Sequence, residues 1–199
     1  MKAPRVFVDT NVLFPASLAD LTLSAAEYGL FELVYSDHLL QEIQRVLVDH
    51  KGLAPANAQR FIDEICGTFP SGRIRTSTYE STASSWTGPD DADLLHLAAA
   101  ACSGAAVLVT NNTKDFEPAT PPDGVLKPAV MTADEFFCSL LDEGFDGDLV
   151  NVIDAMISAN RRPPQTWEAM MQRLATVGLP EFVDRLTEAA PLDTSRTGG

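Results

Sequence analysis

Basic residues are scarce in this chain. Fourteen Lys and Arg stand against 28 Asp and Glu in 199 residues, a formal net charge of −14. No basic run exceeds Arg161-Arg162, so the clustered cations that usually supply affinity for a phosphate backbone are missing. Either the partner is not a polyanion, or metal ions and a local basic rim offset the acidic field. Cysteine is also rare. Cys66, Cys102 and Cys138 are odd in number and too far apart for a zinc or redox motif. That predicts reduced, buried thiols in a cytoplasmic protein. Apolar runs such as Leu94–Cys102 and Ala105–Val109 are too short to span a membrane. The apolar stretch after Lys2 and Arg5 is cut by Asp9 and Asn11, which suits a buried strand better than a signal peptide. Gly-x-Ser-x-Gly, His-Glu-x-x-His and a Gly-rich phosphate loop are all missing. His38, His50 and His96 lack metal spacing and read as structural or surface residues, and Trp86 and Trp167 read as packing residues.

What remains is an ordinary globular composition, 45% hydrophobic, arranged as alternating strands and helices. Val6-Phe7-Val8 is a short β-branched and aromatic run fit for a central strand buried on both faces. A helical stripe follows over Leu18–Leu30, then a strand over Phe31–Tyr35. Ser36 and Asp37 cap a helix whose apolar stripe is Leu39, Leu40, Ile43, Val46 and Leu47. Pro55 opens a helix to Phe69, and Gly72–Thr76 reads as a third strand. Ser81–Gly88 reads as a polar turn. Ala92–Cys102 is an Ala/Leu-rich helix stopped by Ser103-Gly104, and Ala105–Val109 a fourth buried strand. Pro128 confines Val125–Val130 to a sheet edge, and Thr132–Glu135 is a capping box. The expectation is an α/β protein, a three-layer α/β/α sandwich around a mostly parallel sheet. Residues 1–144 form that domain, 145–193 a helical extension, and 194–199 a frayed tail.

Ligands of an open α/β sheet gather at the carboxyl ends of its strands. Asp9 follows the first strand, and Thr110, Asn111, Asn112 and Asp115 follow the fourth. Asp90, Asp91 and Asp93 open the helix leading into that strand, where the helix dipole alone would favour them. Glu42 sits early enough in its helix to lean towards the same rim. Carboxylates packed together repel unless cations neutralise them, and hard oxygen donors suit Mg²⁺ or Mn²⁺ rather than zinc. Such ions generate hydroxide and stabilise in-line phosphoryl displacement, so a phosphodiester could be hydrolysed without a protein nucleophile.

Four segments strengthen this reading. They are Val6-Phe7-Val8-Asp9-Thr10-Asn11-Val12-Leu13, the helix carrying Glu42, Asp93-Leu94-Leu95-His96-Leu97-Ala98-Ala99-Ala100, and Val109-Thr110-Asn111-Asn112-Thr113-Lys114-Asp115-Phe116. In order and separation, across about Val6 to Leu141, they resemble the PIN domain, the nuclease domain of toxins of VapBC-type toxin–antitoxin systems. The resemblance implies that Asp9, Glu42 and Asp93 are the metal-site acids, with Asp91 in reserve. Where many members carry a fourth acid this chain has Asn112, which passes that function to Asp115. Asn11 and Thr110 would support the site by hydrogen bonds. Arg45, Lys114, Arg161 and Arg162 are candidate phosphate contacts. RNA is the implied substrate and Mg²⁺ or Mn²⁺ the implied cofactor. The helical extension is a candidate surface for an antitoxin or for a second subunit of a homodimer.

Two other readings compete. A phosphatase of another α/β class shares a strand ending in Asp, but wants a second Asp where Asn11 stands. A non-catalytic PIN-like shell that binds protein is favoured by the charge of −14 and by Asn112.

Overall fold

The computed structural model describes residues 3–159 and 165–189. In chain order its elements are β1 (Arg5–Val8), α1 (Thr10–Leu13), α2 (Ala16–Glu27), β2 (Glu32–Ser36), α3 (Asp37–Asp49) and α4 (Pro55–Thr68). After a single 3₁₀ turn, Pro70–Gly72, come β3 (Arg73–Ile74), α5 (Thr76–Ala83), α6 (Asp91–Ser103), β4 (Val107–Val109), α7 (Thr113–Phe116) and β5 (Ala129–Met131). Four helices close the described chain: α8 (Ala133–Asp142), α9 (Asp146–Ala159), α10 (Trp167–Thr176) and α11 (Pro180–Ala189).

The five strands form one sheet in the order β3-β2-β1-β4-β5. Every pairing in it is parallel. This is the expected α/β class, consistent with a three-layer α/β/α fold. Val6, Phe7 and Val8 have no solvent exposure, as a central strand flanked on both sides requires. Chain progression runs outward from β1 through β2 to β3, then returns to the other side with β4 and β5. The switch in direction therefore falls between β1 and β4, where open α/β sheets bind ligands. β5 is an edge strand, and Pro128 lies just outside it.

By contacts the chain divides into two compact units. One comprises the chain to Phe14 and Phe31–Thr132; the other comprises Pro15–Leu30 and the described chain from Ala133 onward. The sheet and α3 to α7 belong to the first. In the second, α2 packs on α9, and α8 on α11. Asp134 Oδ1 and Oδ2 accept from the backbone amides of Phe182 (2.8 Å) and Glu181 (3.1 Å), capping the start of α11. Phe137 lies between Phe136 and Phe182, with ring centroids 5.5 and 5.3 Å away.

Two expectations need correction. Thr76–Ala83 is a helix, and its last three residues fall where the sequence predicts a polar turn over Ser81–Gly88. Its Thr and Ser content gives little intrinsic helicity, and burial of Tyr79 and Ala83 stabilises it instead. The expected buried thiols are uneven: Cys138 is buried, Cys66 half-buried and Cys102 exposed, all three free. Trp86 and Trp167 are buried, as packing residues should be. Arg161, Arg162 and the 194–199 tail lie outside the described residues.

Gly72 marks where β3 is laid against β2. A Cβ there would sit 2.0 Å from the Leu33 carbonyl oxygen, and backbone cannot yield as a flexible side chain can. Gly72→Ala should therefore cost about 2–3 kcal/mol in urea unfolding. Gly67→Ala, on α4 with nothing within 4 Å of its Cβ, should be neutral or stabilising by up to about 1 kcal/mol. Equal midpoints for the two variants would refute this account of the β2–β3 approach.

Candidate metal centre

Asp9 lies at the carboxyl end of β1 and is 6% exposed. Its Oδ1 accepts from the Thr10 amide at 2.6 Å, capping α1. Its Oδ2 accepts from Thr110 Oγ1 at 2.7 Å and from Asn11 Nδ2 at 2.5 Å. Asn11 also donates to Thr110 Oγ1 (2.9 Å), and its Oδ1 accepts from the Asn111 amide (2.9 Å). A closed polar clamp thus joins the rims of β1 and β4 at the switch in the sheet. Its polar members are neutral donors. Burial accordingly pushes the Asp9 carboxyl above its ordinary value, against the pull of His96, Thr110 and Thr10.

Glu42 is in the second turn of α3, which Ser36 caps by accepting from the Leu39 amide at 3.0 Å. That cap sets the helix start and aims Glu42 towards α1 and α6. Its Oε2 accepts from Thr10 Oγ1 at 2.9 Å and lies 3.0 Å from His96 Nε2. The hydrogen bond from His96 outweighs desolvation and holds Glu42 at about 2. His96 itself is 2% exposed. Burial pushes its pKa down, but the Glu42 hydrogen bond and the charges of Asp9, Glu42 and Asp93 together raise it above the usual imidazole value.

Asp93 is in the first turn of α6. Asp90, the N-cap, accepts from Ala92 N (2.7 Å) and Asp93 N (3.4 Å). At the other end Gly104 takes φ +72°, a left-handed cap that releases the chain into β4. Desolvation, then Asp9, then Asp90 raise the Asp93 carboxyl to about 6. Asp9, Thr10, Asn11, Glu42, Asp93 and Asn112 line one open cavity of about 300 Å³, walled on its apolar side by Phe14 and Val46.

Of the sequence candidates, the structure thus brings Asp9, Glu42 and Asp93 into one cavity, with Asn11 and Thr110 behind Asp9. Asp91 lines a different hollow with Glu80 and Trp86. Asp115 is half-buried in α7 and is engaged by Asn112 Nδ2. It does not line the cavity, but its charge contributes to raising Asp93. Arg45 and Lys114 are exposed. Sequence reasoning missed His96 and Thr10. The signal for His96 was present: it stands three residues after Asp93, on the same face of α6.

The donors suit a hard divalent cation. Asp9, Glu42 and His96 place one ligand-type atom each within 4.8 Å of one another. Burial, above all, raises the Asp9 and Asp93 carboxyls, and His96 offsets it only in part. Among the described residues no Lys or Arg pairs with any of these acids. Oxygen donors of this kind fit Mg²⁺ or Mn²⁺.

Two family models match the sequence. The PIN domain model covers residues 5–114. The chain belongs to the PIN-domain family. Asp9, Glu42, Asp93 and Thr110 all fall within the matched span of this PIN domain. The second match, the VapC50 C-terminal domain, covers residues 133–188, so the closing helices also match the VapC kind of protein. Together the two imply a nuclease toxin. No curated protein matches the sequence. Among the described residues no helix is long and apolar enough to cross a membrane.

The raised Asp93 gives a signed prediction for the chelated protein. A carboxyl at about 6 when folded, against 3.8 ordinarily, binds its proton more tightly in the native state. Stability is therefore lost as pH rises through that window. With chelator present, the melting temperature of Asp93→Asn should climb relative to the native sequence between about pH 4 and about pH 6, then level off. A difference independent of pH would contradict the crowded-carboxylate geometry.

Proposed function

We propose that this PIN domain is a metal-dependent endoribonuclease, acting as the toxin of a toxin–antitoxin pair. The observation that carries the reading is the cavity at the β1–β4 switch, where Asp9, Glu42 and Asp93 converge. Asp9 and Asp93 would hold Mg²⁺ or Mn²⁺, with Glu42 completing the set. The ion, when bound, supplies an activated water and stabilises charge on the transferring phosphoryl group. Thr110 and Asn11 keep the Asp9 carboxylate fixed in orientation, so a ligand does not have to order it. Thr10 does the same for Glu42.

Asp115 has a supporting role in this proposal, holding negative charge beside Asp93 while its carboxylate is tied to Asn112. Arg45 and Lys114 are the described candidates for contact with the RNA backbone. The scission leaves 5′-phosphate and 3′-hydroxyl ends, the products expected of the family. The acidic balance of −14 fits a basic antitoxin segment, with the helices matched at 133–188 as its proposed seat.

One observation favours a second reading. Asn112 lines the cavity where an acid would add a ligand, as a non-catalytic protein-binding shell would tolerate. Digestion of RNA by the purified protein with Mn²⁺ separates the two. The native chain should cleave, and Asp9→Asn should fall by on the order of 100-fold or more. Equal cleavage by both would count against catalysis at this site, and none by either once any antitoxin has been stripped would favour the binding shell.

A further inference from the structure

Glu42 is held asymmetrically. Oε2 takes both hydrogen bonds, from Thr10 Oγ1 and from His96, while Oε1 has no donor among the described residues. We infer that His96 is a positioning residue for Glu42, clamping Oε2 so that Oε1 alone faces the cation or its water. The inference rests on the metal-dependent reading above.

The competing assignment makes His96 a third ligand, in the trio with Asp9 and Glu42. Proton accounting decides against it. A ligating imidazole must offer a bare nitrogen, and Nε2 is the one beside Glu42. Its proton would then sit on Nδ1, which is buried with no hydrogen-bond partner among the described residues. Metal-bound histidines almost always donate their other N–H to an acceptor, and none stands there. In the neutral ring that a neighbouring cation favours, with the proton on Nε2, the orphan becomes a lone pair rather than an N–H, which proteins tolerate more readily. Oε2 also gains a donor it would otherwise lack.

The ring is placed for this task from several elements. Phe7 of β1 and His38 of α3 lie against it at centroid distances of 5.7 and 5.3 Å, both tilted. The first turn of α6 carries Asp93, so the helix that brings one acid to the cavity also brings the clamp for another. A carboxylate on α3 is thereby kept in register with one on α6.

Manganese affinity of the full-length chain, read by electron paramagnetic resonance titration, tests the inference without any activity assay. His96→Leu should bind Mn²⁺ about 10–100-fold more weakly, the usual effect of losing an outer-shell partner. His96→Gln, whose amide nitrogen replaces Nε2, should restore affinity to within a few-fold of the native protein. Pulsed spectra of the Mn²⁺-loaded native chain should show no directly coordinated imidazole nitrogen. A coordinated nitrogen would overturn the clamp, as would His96→Leu binding as tightly as the native chain. Should His96→Leu fail to fold, the Gln variant and the native spectrum still decide. A native chain that takes up no Mn²⁺ would overturn the metal reading itself, an outcome distinct from the other two.

Discussion

A carboxylate buried at the carboxyl end of a central strand is the constraint on which the rest depends. Asp9 is 6% exposed. Removing such a group from water is costly unless charge or hydrogen bonds compensate, and here neutral polar donors and the His96 ring offset the burial only in part. To supply the donors, β4 must pair with β1 in register, so that Thr110 reaches Asp9 Oδ2. The loop after β4 must turn back so that Asn11 can accept from the Asn111 amide. The Asp9 amide donates to Val109 O at 2.9 Å, locking the two rims together from the backbone side. What the clamp leaves uncompensated is charge, and a divalent cation supplies it.

Electrostatic effects separate the three acids although they share one cavity. Glu42 has a protonatable partner and stays ionised at about 2. Asp93 is desolvated beside carboxylate neighbours and rises to about 6. Asp9 rises through burial. The same residue, His96, appears in all three balances, which is why its placement matters more than its spacing in the sequence suggests. The global charge of −14 opposes binding of a polyanion, but a phosphodiester at this rim meets a site whose own charge an ion would offset.

Much of this was legible in the sequence because it rests on local pattern. The run Val6-Phe7-Val8 ending in Asp9 identified both the central strand and its carboxylate, since full burial on two faces removes any alternation. The acids Asp90, Asp91 and Asp93 marked the start of α6 through the helix dipole, and Gly104 its end through capping chemistry. What escaped rests on tertiary contact. The helix Thr76–Ala83 has little propensity of its own and owes its form to burial of Tyr79 and Ala83. Nor could spacing show that Pro15–Leu30 clusters with the helices from Ala133 onward. His96 read as a structural histidine, and it is one in its burial, but its partner lies 54 residues away. Asn112 and Asp115 stand close enough in sequence for an exchange of roles, yet only Asn112 lines the cavity.

The most direct test of the central claim is an anomalous-difference map from crystals grown or soaked with Mn²⁺. The account predicts a peak in the cavity at the β1–β4 switch, within coordinating distance of the Asp9 and Asp93 carboxylates and of Glu42 Oε1. A cavity without a peak at millimolar Mn²⁺, or an ion held elsewhere on the chain, would contradict it.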